Sequence, residues 1–287
     1  MTILDHEERF WTSEGIARYA VQAHESLARQ LVAAATLRGG LTTREEAQAV
    51  CGRLASREHT HDDDVLVALL HDIYEGVNPA RYLPGLEPDL LGEAMVMRVA
   101  EPPRGAGDPA GNAWIERVLV AGDDAQAITS AFTVLGRASA TSSAATRPWI
   151  VNLLCSELPS RAVLALRAGK AVGRRTASSA LGDLLAEALE RDGSASIAVE
   201  LEQEGIPYAT VSLRRVAEWQ GRTLLAQAPG GDDAAVMATR AARLGEQGIR
   251  LADLSQREPA LAATRSTSIA RWRRTTPTRS SPTSQGA

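Results

Sequence analysis

Residues 179–205 read SALGDLLAEALERDGSASIAVELEQEG. Leu181, Leu184, Leu185 and Leu189 recur at offsets that place all four on one face of a helix. Gly193 and Gly205 stand where a left-handed C-terminal cap belongs. The stretch therefore predicts two helices, over 179–191 and 194–204, with a short break between them. The same rhythm extends outward. Residues 113–120, 124–138, 148–158, 161–172, 211–228 and 233–254 also read as helices, and Pro148 suits a first helical turn. Helices of this length joined by short loops pack as antiparallel neighbours, in a bundle or a solenoid.

Toward the N-terminus the pattern is less even. Residues 7–37 are helix-compatible and stop at Gly39-Gly40. Thr43 and Glu46 have the spacing of a capping box, opening a helix that runs to about Leu54. Asp62, Asp63 and Asp64 suit the positive end of the next helix, which carries Val65, Leu66, Leu69, Leu70 and Ile73. Residues 75–89, EGVNPARYLPGLEPD, hold three prolines and two glycines and cannot form one helix. A short β-hairpin or wing is expected there, followed by a helix over 90–100. Residues 101–112, EPPRGAGDPAGN, read as a linker.

Composition narrows the class. Apolar residues are 44% of the 287 and charged residues 23%, ordinary for a chain with a real core. Aromatics are only 4% and alanine is abundant, which favours helices over strands. The expected class is all-α with a small β wing. No apolar run approaches the ~20 residues needed to cross a bilayer, and the start, MTILDHEERFW, lacks the basic-then-apolar order of a secretory signal. Cys51 and Cys155 make neither a disulfide framework nor a four-thiolate site. A cytoplasmic protein with reduced thiols and no membrane partner is expected.

Candidate chemistry is sparse. His59, His61, Asp62, Asp63, Asp64, His71 and Asp72 are the densest set of metal-capable side chains, and His71-Asp72 resembles the dyad of HD-type metal-dependent phosphohydrolases. That chemistry needs further His and Asp ligands on other helices, and only His6 and His24 remain, both upstream. The set is read instead as a solvated loop, an acidic helix start and a His-Asp pair near a helix end. Gly169-Lys170 has no Ser or Thr after the lysine and no strand before it, so it is no phosphate-binding loop. No G-x-S-x-G turn offers a nucleophile. Trp11, Trp114, Trp149 and Trp219 read as core residues, while Trp272 lies in the basic tail. The expectation is no catalytic residue, no cofactor and no metal.

Two stretches carry a family resemblance. Residues 240–264, RAARLGEQGIRLADLSQREPALAAT, resemble the first helix and half the second of a tetratricopeptide repeat, with Leu244, Gly248, Leu251 and Ala260 at the repeat's packing intervals. Residues 31–100 resemble the winged-helix part of bacterial STAND-type signalling NTPases, through LRGGL at 37–41, the helix after Thr43, LLHDIY at 69–74 and YLPGLEPDLLGEAMV at 82–96. The resemblance implies the order winged helix, helical region, repeats, after an NTPase domain that this chain does not contain. The expected parts are a winged-helix-like region over 1–100, the linker over 101–112, a helical repeat-like domain over 113–230, an incomplete repeat over 233–272 and a disordered tail over 273–287.

The tail itself is odd. Residues 265–287 hold five arginines and no acid, whereas Lys170 is the chain's one lysine. GC-rich codons read one base earlier can give AVDIYRALAADNPDAFLPDLARG, a repeat-like continuation. A frameshift near Thr264–Arg265 is therefore expected, and a nucleic-acid role for the tail loses its basis. The implied function is a non-catalytic signalling and protein-interaction fragment, with a protein partner or neighbouring domain and no nucleic acid. A winged-helix DNA-binding regulator is the other alternative. It needs a basic recognition helix, but helix 43–54 sets Arg44 and Arg53 against Glu45 and Glu46.

Overall fold

The computed structural model describes residues 25–55, 61–75, 77–86, 89–100, 114–115, 117–119, 124–176, 178–207 and 210–227, with residues 9 and 13. These residues are mostly helical, as the alanine- and leucine-rich periodicity requires. Ten helices follow in order among the described residues. They are α1 (Glu25–Arg38), α2 (Arg44–Ala55), α3 (His61–Tyr74), α4 (Asp89–Ala100), α5 (Ala125–Ala138), α6 (Ser143–Ser156), α7 (Leu158–Arg175), α8 (Ala180–Asp192), α9 (Ala195–Glu204) and α10 (Arg214–Ala226). No strand forms among the described residues. The stretch expected to hold a hairpin pairs once, in an isolated antiparallel bridge between Leu41 and Leu83. Each of the two donates to the other's carbonyl, at 2.7 and 3.0 Å. Pro84, next in the chain, has no N–H with which to extend the ladder.

Local signals explain most helix ends. The Glu46 amide donates to Thr43 Oγ1 at 3.2 Å, and Glu46 Oε2 accepts from the Thr42 amide at 2.7 Å. The capping box is thus present with its return bond moved one residue back. Asp62, Asp63 and Asp64 occupy the first turn of α3. Asp124 caps α5 by accepting from the Ala127 amide at 2.7 Å. Two expectations change. The helix carrying Pro148 starts earlier, at Ser143, so the proline lies inside α6. Its missing N–H leaves the carbonyl of exposed Ala144 to solvent, which makes the proline tolerable. Gly193 is not left-handed: its φ is −71°. Glycine is required there by space, because a Cβ would strike the Trp219 ring and the Leu189 carbonyl. Gly205 has positive φ, 76°, but its ψ of 127° lies outside the left-handed helical region.

The helices pack in a simple order. α5 lies on α7 and α7 on α9, while α6 lies on α8 and α8 on α10. Neighbours in sequence close the gaps between the rows: α5 with α6, α6 with α7, α7 with α8, and α9 with α10. At the other end α1 packs on α2 and α4, α2 packs on α3, and both α1 and α4 pack on α5. One apolar core runs without a break from Leu27 to Leu224. Small residues allow the close approaches. Gly169 on α7 and Gly182 on α8 face the 211–213 turn, where Leu213 is fully buried. A Cβ on Gly182 would strike the Ser212 carbonyl.

Long basic side chains close several helix ends from outside. Arg161, 5% exposed, donates to Leu153 O at 2.9 Å and to Ser156 Oγ, covering the end of α6. Lys170 reaches from α7 to Glu204 O and Gly205 O, both at 3.0 Å, and to Glu204 Oε1 at 2.8 Å. Each places positive charge where free carbonyls concentrate negative charge.

Gly182→Ala should destabilise the chain by about 1–3 kcal/mol, the usual cost of overpacking, as read from urea unfolding. A second test uses acid. The Lys170 ammonium holds the Glu204 carboxyl below its ordinary 4.5; burial pushes the other way, and Arg167 adds to the lowering. A lowered folded value means the stabilisation is full above the ordinary value and fades as pH falls through the folded one. The melting-temperature gap between wild type and Glu204→Gln should therefore hold above the ordinary 4.5 and shrink as pH falls below it. A gap that does not change with pH would show that the carboxylate charge contributes nothing.

Candidate functional site

The repeat-packing residues Leu244, Gly248, Leu251 and Ala260 lie outside the described residues, as do the rest of 233–272, the tail, the linker over 101–112, and His6, His24 and His59. Within the described part, the metal-capable set divides by direction. Asp62 and Asp72 are exposed, and Asp63 is buried at the base of α3. Asp64 Oδ1 accepts from Gln48 Nε2 of α2 at 2.5 Å. His71 stacks flat on the Tyr82 ring, with centroids 4.1 Å apart and planes 6° from parallel, and its Nδ1 lies 2.7 Å from Tyr82 O. Among the described residues no three His, Cys, Asp or Glu side chains come together as metal ligands would. His71 pins the 77–86 loop to α3 and so holds Leu83 against Leu41.

The helix considered for DNA reading has one of its two arginines committed elsewhere. Arg53 is half-buried, and its Nε donates to Arg117 O at 2.9 Å. Arg38 does the same nearby, donating to Val118 O and pairing with Glu46, both at 3.0 Å. These two arginines tie α1 and α2 to residues 117–118. Cys51 is buried, and exposed Cys155 accepts from Arg191 Nη2 at 2.6 Å.

Two concave features emerge that no sequence motif announced. The first is a groove of about 380 Å³ across α6, α8 and α10. Its charges are matched: Arg147 meets Glu187 at 2.6 Å, and Arg215 reaches Glu187 at 3.6 Å and Glu190 at 3.1 Å. The acids Asp183, Glu187 and Glu190 sit on one face of α8, a spacing visible in sequence, but their partners come from helices about 25–40 residues away. The second is a cleft of about 210 Å³ at the seam between the first four helices and α5. It lies beside the Gly39–Gly40 turn, where Ser130, Arg81, Glu93 and Arg137 converge from three different elements.

Comparison with protein-family models, with curated proteins and with solved structures finds no match for the chain. No helix among the described residues is long and apolar enough to cross a membrane.

His71→Phe should keep the stacked ring and lose the bond to Tyr82 O, costing about 1 kcal/mol in urea unfolding. Zinc should move the melting temperatures of wild type and His71→Phe equally. A zinc-dependent rise seen only in wild type would mean that His71 is a ligand after all.

Proposed function

We propose that the chain is a non-catalytic signalling and protein-interaction element of the STAND type, a winged-helix-like module followed by a helical repeat array. The observation that carries this is the packing of α5–α10. Contacts run chiefly to the next helix and the next but one, which builds two rows of helices. That is how solenoids of helix pairs stack, each pair burying its face on its neighbour. The Leu41–Leu83 bridge and the helices around it are compatible with a reduced wing. A cytoplasmic location and a protein partner, or a neighbouring domain, follow from this reading. The repeat resemblance over 240–264 supports the same reading.

Stacked pairs can be removed from the end. A chain ending after Gly193 should therefore keep a cooperative helical melt with lowered midpoint, because α1–α8 retain their mutual contacts. Loss of all helical signal would mean a closed globular core and would sink the array. The functional half is tested by the gene and by calorimetry. Purified chain should neither bind nor hydrolyse ATP, and the DNA beside its reading frame should encode a GxxxxGK[ST] loop on one side and repeat units on the other. Micromolar ATP binding by this chain, or flanking DNA with neither feature, overturns it.

A further inference from the structure

The seam cleft is lined by the Arg81 guanidinium and the Ser130 hydroxyl, and neither meets a carboxylate among the described residues. Arg81 stands on the 77–86 loop. Its Nη1 donates to Thr42 Oγ1 at 2.7 Å, and no carboxylate pairs with it among the described residues. Its stem crosses Gly40, where an added Cβ would come 3.0 Å from Arg81 Cγ. On the preceding residue, a Cβ at Gly39 would come 2.8 Å from Ser130 Oγ. The two-glycine turn, with φ of 76° and 94°, therefore leaves room for both Arg81 and Ser130, and the two side chains line the same cleft. Ser130 is a half-buried residue of α5. Thr129 and Thr133 beside it each donate back to the helix, at 2.7 and 2.8 Å, while the Ser130 hydroxyl has no partner among the described residues.

The rest of the lining sets the net charge. Glu93 of α4 faces Arg137 of α5 at 4.0 Å, and their side chains are 13% and 15% exposed. That pair is close to neutral, so Arg81 leaves the cleft with about one positive charge. Asn78 and Thr36 already hold backbone groups, Ala80 N at 3.1 Å and Leu86 N at 3.0 Å. The volume, about 210 Å³, equals roughly seven waters by their share of the liquid.

We propose that this cleft binds a small oxyanion, a phosphate or carboxylate group, with Arg81 as its charge partner and Ser130 as a hydroxyl donor. Guanidinium forks suit such groups because their N–H donors match the spacing of two oxygens. Glu93 in the lining disfavours polyanions. An anion there touches both the 77–86 loop and α5, so binding fastens the first four helices to the array. This inference stands independently of the signalling reading.

The experiment titrates full-length chain with inorganic phosphate, and separately with acetate, at constant ionic strength set by chloride. Melting temperature and calorimetric heat are recorded. Wild type should gain stability with at least one of the two probes, and which one responds tells phosphoryl from carboxyl ligands. Arg81→Gln should weaken the response roughly tenfold or more, the loss expected for a charge-assisted bond. Ser130→Ala removes a hydroxyl with no partner among the described residues, so it should melt like wild type and bind several-fold more weakly. No response to either probe in wild type overturns the proposal, as does an equal response in wild type and Ser130→Ala. A response that chloride reproduces overturns it as well.

Discussion

Everything in the described structure is arranged around α5. Most helices at the edge of a core bury one stripe, but α5 packs against α1 and α4 on one side and α6 and α7 on the other. Its sequence fits that position. Ala127, Ile128, Ala131, Phe132, Leu135, Gly136 and Ala138 are all buried, a much wider band than a one-sided helix needs. Phe132 is fully enclosed, and the bare Cα of Gly136 admits Leu181 and Val172. Without this helix the main helix-to-helix contacts between the first four helices and those after α5 would be lost. With it, one core is continuous from α1 to α10.

A second constraint concerns helix ends. Short helices in close rows bring many free carbonyls into places that water reaches poorly. Arg38, Arg53, Arg161 and Lys170 answer this by donating to carbonyls of other segments. Their use in the described structure is structural, since each closes a carbonyl-rich end. The exposed pairs on α6, α8 and α10 differ. They lie in solvent and add little stability each, but they match charge across the row and so favour one register.

The fold class was legible in sequence because leucine spacing and alanine content speak locally. Helix α8 runs almost as Leu181, Leu184, Leu185 and Leu189 foretold, and Asp62 to Asp64 do open α3. Where structure and sequence pattern part, the cause is physical. A proline ring fits most easily at a helix start, yet α6 carries Pro148 one turn further in, beside a carbonyl open to water. A left-handed cap is the usual reason for glycine after a helix, but at Gly193 it is Trp219, a residue distant in sequence, that demands it. Within the described part of 75–89 the chain pairs once, with Leu41, which lies far from that stretch in sequence. The seam cleft was invisible for the same reason. Arg81, Glu93, Ser130 and Arg137 share no motif, and only packing around α5 brings them to one place.

The cap formed by Lys170 has a further chemical consequence. It is the chain's one lysine, its side chain is 19% exposed, and its amine is held by two carbonyls and a carboxylate. Acylating or conjugating that nitrogen would remove its charge and uncap α9 at once. Apart from the N-terminal amine, the chain therefore offers acetylation, isopeptide tagging and amine-directed cross-linkers a single address, already occupied by the fold. Its many guanidiniums give the surface its positive charge without that reactivity.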